Sequence, residues 1–152
     1  IGFDTFRMAC DALVSGDCDR AVIPFENSIA GVVPGVEALI ASLPVTRIDV
    51  HPQPVGFHCL AVPGAQLDRI ELVSSHPMAL AECRHFLSRL GVREEEAGDT
   101  AGAASEVAAA GSRTRAALAS TRAAELYGLE VLAADVQDSA DNVTYFAVLE
   151  RA

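Results

Sequence analysis

Apolar positions along the chain fall into two alternating rhythms. From Thr5 to Val14, Phe6, Cys10, Leu13 and Val14 recur at helical spacing, and Gly16-Asp17 closes the segment. Arg20–Pro24 is a short apolar run of the kind that makes a buried strand. Pro34–Ala41 is helical again, with Val36, Leu39 and Ile40 on one face. Val45–Val50 and Val55–Val62 read as strands separated by Pro52 and Pro54, and Ile70–Ser74 as a further strand. Pro77–Leu90 reads as one long helix: Pro77 suits its first position, Leu80, Cys83, Leu87 and Leu90 form the buried stripe, and Gly91 lies just past its end. An alanine-rich helix is predicted over Thr100–Ala110 with Thr100 as N-cap. A strand follows at Arg115–Ala119, a helix at Ser120–Tyr127, and strands at Leu129–Ala133 and Val143–Leu149. Glu94-Glu95-Glu96 is expected to be a solvated loop. Helices alternating with strands predict an α/β fold with mainly parallel sheets.

Composition narrows the function. The 152 residues are 51% apolar, enough for one ordinary domain or two small lobes. Mean hydropathy is +0.28, but the apolar residues are dispersed through alanine-rich helices, and no run long enough to span a membrane is present. The net charge is −10, lysine is absent, and the arginines are scattered, which argues against a nucleic-acid partner. Ile1-Gly2-Phe3 has neither the basic start nor the long apolar core of a secretory leader, so a cytoplasmic protein is expected. Cys10, Cys18, Cys59 and Cys83 show no CxxC spacing and are expected as reduced thiols. No second ligand pair has structural-zinc spacing, so no metal is expected.

Glycine-rich phosphate loops, HExxH and GxSxG are all missing. Small polar groups instead gather at strand-to-helix junctions: Glu26-Asn27-Ser28, Ser74-Ser75-His76, Asp99-Thr100 and Ser120-Thr121. Helix N-termini beyond the carboxyl ends of strands point N–H groups outward and suit anions, although each such residue alone is more simply a cap.

Pro24-Phe25-Glu26-Asn27-Ser28-Ile29-Ala30-Gly31 resembles V-P-x-E-N-S-x-x-G, a phrase of the prephenate dehydratases. Ser75-His76-Pro77-Met78-Ala79-Leu80-Ala81-Glu82-Cys83 resembles their S-H-P-Q-A-L-A-Q-C. Ala117–Val131 resembles A-I-A-S-x-x-A-A-E-L-Y-G-L, and Asn142-Val143-Thr144-Tyr145-Phe146 resembles N-x-T-R-F. The matches keep the family's order and cover Asp4 to Leu149. Neither the family's opening strand and helix, with a G-P-x-G-T-like turn, nor its regulatory ACT domain is matched within these 152 residues.

The resemblance implies a two-lobed α/β fold like the type II periplasmic binding proteins, with a ligand cleft between lobes. The first lobe would span about 1–56 plus 145–152 and the second about 57–144. It implies a lyase that converts prephenate to phenylpyruvate with loss of water and carbon dioxide. Aromatisation drives the reaction, so no cofactor is needed. Thr144 would give the leaving hydroxide a hydrogen bond. Asn27, counted with Thr144 and Glu82 as catalytic, and Ser75 would hold substrate oxygens, with Glu26, Ser28, His76, Thr100, Tyr145 and Phe146 as further binding candidates. Glu26 is expected chiefly to accept backbone N–H groups, with a direct catalytic part as the alternative. Three positions depart from the pattern. Tyr145 replaces an arginine that could clamp a carboxylate, Met78 replaces a glutamine, and Glu82 replaces another. The Glu82 carboxylate would repel a dianion, or in its protonated form supply the proton itself. A prephenate decarboxylase that keeps the ring hydroxyl is one alternative, and a non-catalytic module that binds aromatic carboxylates is another. A homo-oligomer, dimer or tetramer, is expected.

Overall fold

The computed structural model describes residues 1–152. In chain order its elements are α1 (Phe6–Ser15), β1 (Ala21–Asn27), β2 (Gly31–Val32), α2 (Val36–Ala41), β3 (Val45–Pro54) and β4 (His58–Ala61). A single 3-10 turn, Leu67–Arg69, precedes β5 (Leu72–Ser75), α3 (Pro77–Glu82), α4 (Arg84–Leu90), β6 (Arg93–Glu96) and α5 (Thr100–Ala110). The chain ends with β7 (Arg115–Ala119), α6 (Thr121–Tyr127), β8 (Glu130–Ala133) and β9 (Val143–Arg151). Two compact units result. One contains residues 1–55 and 141–152, the other 56–140, so Asp141–Thr144 belong with the first unit.

The first unit is a sheet in the order β2-β1-β9-β3 with every pairing antiparallel. Strand alternation sends Ala147 and Leu149 of β9 to one face, where they pack with Cys10, Leu13, Ile23 and Val36 beneath α1 and α2. Helix α1 starts where the Thr5 hydroxyl accepts the Met8 N–H, and it stops at Gly16, whose φ of 90° a side chain would oppose.

The second unit is a sheet in the order β6-β5-β7-β4-β8. Strand β5 runs parallel to β6 and β7, while β4 is antiparallel to β7 and β8. Both faces are covered, so its central strands are apolar throughout. Cys59, Ala61, Ala116 and Leu118 face α3 and α4. Leu60, Ala117 and Ala119 face the alanines of α5 and α6.

Four local expectations are corrected. The sheets are not mainly parallel, because β9 returns to the first unit and inserts antiparallel between β1 and β3. Pro52 and Pro54 do not divide two strands; β3 runs through them, which an edge strand tolerates because its outer N–H groups need no partner. The long helix is two, broken at Cys83. Glu94–Glu96 form edge strand β6, with all three side chains exposed. No helix is long and apolar enough to cross a membrane.

All four cysteines are free. Burial pushes the thiols of Cys59 and Cys83 up to about 12, and the charges of Asp138 and Glu82 add to the effect at Cys83.

Candidate active site

A β-bulge decides which side chain faces Thr144. Strand β1 pairs with β9 in steady register from Ala21 to Pro24. The register then slips by one residue, and Glu26 and Asn27 pair with Tyr145 and Thr144. Phe25 is the extra residue, and its ring lies under the Arg47 guanidinium, 4.4 Å from the centroid. Without that slip Glu26, not Asn27, would oppose Thr144.

The Asn27 amide is fully used. Its Oδ1 accepts the N–H groups of Ile29 and Ala30, both at 2.9 Å, and so shapes the turn into β2. Its Nδ2 donates to Asn142 Oδ1 at 2.7 Å and to Thr144 Oγ1 at 3.1 Å. Thr144 Oγ1 is therefore an acceptor within the protein, and its own O–H makes no donor contact there. A hydroxyl that already accepts a hydrogen bond is polarised toward donating one. Ser28 locks the same corner: its hydroxyl accepts the Val143 N–H and donates to the Asp141 carbonyl, both at 2.9 Å. Its capacity as a donor is thus spent on the fold. Glu26 is exposed and accepts no backbone N–H, contrary to expectation. In β9, Phe146 shares the sheet face of Thr144, whereas Tyr145 projects to the opposite face with Ala147.

In the second unit, Ser75 at the end of β5 is fully buried, and its hydroxyl donates to the Leu118 carbonyl at 2.7 Å. That leaves no proton for an anion. His76 caps α3, with Nδ1 accepting the Met78 N–H at 3.1 Å, so Nε2 is the nitrogen left to meet a ligand. Glu82 is the last residue of α3 and half-buried, whereas Met78 is exposed. Thr100 opens α5 but is not its cap, because the Asp99 carboxylate accepts the Gly102 N–H instead. The structure thus brings together Asn27, Ser28 and Thr144 in the first unit, and it gathers Ser75, His76 and Glu82 along β5 and α3 in the second.

Sequence reasoning missed Asn142 and Asp138. Asn142 is 2% exposed, and its carbonyl accepts the Val55 N–H while its side chain holds Asn27. In sequence Asn142 entered only as the first residue of the N-x-T-R-F resemblance, without a role of its own. Asp138 accepts N–H groups from Arg84 and His85. Burial works against its charge, but those backbone donors and the His85 imidazole outweigh it and hold the carboxyl below its usual range.

A sequence model of the prephenate dehydratases matches residues 1–152. The chain belongs to the prephenate dehydratase family. Among curated members it is 44% identical over 151 residues to "Arogenate dehydratase 3, chloroplastic" of Arabidopsis thaliana, an alignment covering 97% of this chain and 35% of that protein. It is 36% identical over 147 residues to "Bifunctional N-acyl-homoserine lactone acylase/prephenate dehydratase" of Komagataeibacter europaeus, covering 97% of this chain and 52% of that protein. The crystal structure of a prephenate dehydratase from Arthrobacter aurescens in complex with L-Phe superposes with a TM-score of 0.88. It is 29% identical, and the match covers 100% of this chain and 52% of that one. The chain therefore spans about a third to a half of the length of these family members.

Proposed function

We propose that this chain is the catalytic portion of a lyase that converts prephenate to phenylpyruvate. In that reaction the ring carboxylate leaves as carbon dioxide. The electron pair of the broken carbon–carbon bond enters the ring, and hydroxide departs from the opposite ring carbon and takes up a proton as water. Charge develops on the departing oxygen, which is where a placed donor accelerates the reaction. One such donor lowers the barrier by about 3–4 kcal/mol. The observation that carries the reading is the Asn27–Thr144 contact, which commits Thr144 Oγ1 as an acceptor and leaves its O–H to meet the leaving group. Glu82 is the second proposed participant, through its carboxyl at the end of α3.

A second substrate is favoured by the name of the Arabidopsis relative. Arogenate carries an amino group where prephenate carries a ketone, on the same ring, so the same donor would serve both. The full-length protein, given each substrate separately, is expected to form phenylpyruvate from prephenate, read by its absorbance in base, or phenylalanine from arogenate. Carbon dioxide release without an aromatic product would replace this reading with the decarboxylase. Tight binding of phenylpyruvate without turnover of either substrate would replace it with the binding module. Assembly into a dimer or tetramer belongs to the same reading and is supported by exposed Val22, Ile29, Val32 and Leu126. Sedimentation of the full-length protein as a monomer would remove it.

A further inference from the structure

The break between α3 and α4 has no cause within its own segment. Residues 77–90 carry one apolar stripe, with neither proline nor glycine from Met78 to Leu90. Yet Cys83 leaves helical geometry, at φ −117° and ψ 29°. The partner that stabilises the break comes from far along the chain. Asp138 takes both freed ends: its N–H donates to the Glu82 carbonyl at 2.7 Å, and its carboxylate accepts the N–H groups of Arg84 at 3.1 Å and His85 at 3.0 Å. The His85 imidazole adds a contact at 3.1 Å. One residue thereby ends α3 and caps α4.

Neighbouring residues hold Asp138 in place in turn. The Val136 N–H donates to the Phe57 carbonyl at 2.9 Å, the Phe57 N–H donates to Gln137 Oε1 at 2.9 Å, and the Asp135 N–H donates to His58 Nδ1 at 3.1 Å. Asp135 accepts a left-handed φ of 51° within this arrangement. The segment from 135 to 138 is thus stitched to the start of β4 on one side and to the helix break on the other.

We propose that Asp138 is a positioning residue for the reaction: by holding the break at Cys83 it fixes the end of α3 that presents Glu82. The role rests on the dehydratase reading, in which Glu82 takes part. Asp138 remains charged through neutral pH, which suits a permanent cap. The thiol at the break stays protonated beside it.

A double-mutant cycle in the full-length protein tests this. Asp138→Ala is expected to lower kcat/KM about 10-fold, and the same change made in a Glu82→Gln background to lower it by less than about 2-fold, because residues that act through one another are not additive. Equal losses in both backgrounds would overturn the proposal. Asp138→Asn keeps one acceptor and guards against misfolding of the alanine variant; its loss should fall between wild type and Asp138→Ala. Alkylation of thiols reads the clamp without turnover. Cys83 should react faster in Asp138→Ala than in wild type while Cys59 is unchanged, and an unchanged Cys83 rate would overturn the clamp. A wild-type protein inert toward both substrates would bring down the dehydratase reading and the positioning role with it, whereas the clamp would still stand or fall on the Cys83 rate.

Discussion

Asn27 shows how one side chain can serve the fold and the chemistry together. Its two acceptor bonds build a turn, and its two donor bonds tie β1 to the residues before and within β9. The direction of the bond to Thr144 is the consequential detail. An amide N–H donates, so the hydroxyl must accept. Asn27→Asp keeps the shape but replaces that donor with an acceptor, and the Thr144 O–H would turn toward it. Turnover should fall about 10²-fold or more, by analogy with losing one placed donor, while the substrate KM changes little. Steady-state kinetics on the full-length protein measure this; near-normal kcat would show that the direction of the bond does not matter. The residue types at this corner were legible in the sequence, since Glu26-Asn27-Ser28 and Thr144 stood out. Which of Glu26 and Asn27 meets Thr144 was not, because it depends on a one-residue bulge that has no sequence signature of its own. The same limit hid the spent hydroxyls of Ser28 and Ser75, whose partners are backbone carbonyls 113 and 43 residues away.

At the scale of elements, periodicity and capping residues located most helices and strands. The strand over Arg115–Ala119 and the helix that ends at Gly128 are examples. What failed was whatever depended on distant partners: the break at Cys83, the pairing of β6, and the antiparallel return of β9. Local pattern reports which face of an element is apolar, not which strand lies beside it. Between α3, α4 and the sheet, the neutral thiols of Cys59 and Cys83 give a pH dependence. Their pKa values rise on folding from 9.0 to about 12, so the fold favours the protonated form. That contribution is fully present below about pH 9 and is lost as pH climbs toward 12. Denaturant midpoints should therefore drop over that range, and the drop should be shallower in a Cys59→Ala, Cys83→Ala variant. Parallel curves for the two proteins would contradict the burial argument.

For the whole molecule, the division into units makes the second one testable by itself. Residues 56–140 are continuous in sequence and contain two apolar clusters on the two faces of one sheet, whereas the first unit must recruit 141–152 from the far end of the chain. A fragment of 56–140 is expected to fold alone, with dispersed amide resonances and a cooperative melt; a disordered spectrum would show that its core needs the other unit. Family membership rests on a match over all 152 residues, and the chemistry proposed for it rests chiefly on the hydroxyl of Thr144. The most direct measurement is therefore prephenate and arogenate turnover by the full-length protein as wild type, Thr144→Ser and Thr144→Val. The serine variant should retain a substantial part of kcat because it keeps the O–H. The valine variant, matched in shape but without a donor, should lose about 10²–10³-fold. A valine variant that turns over like wild type would contradict the account.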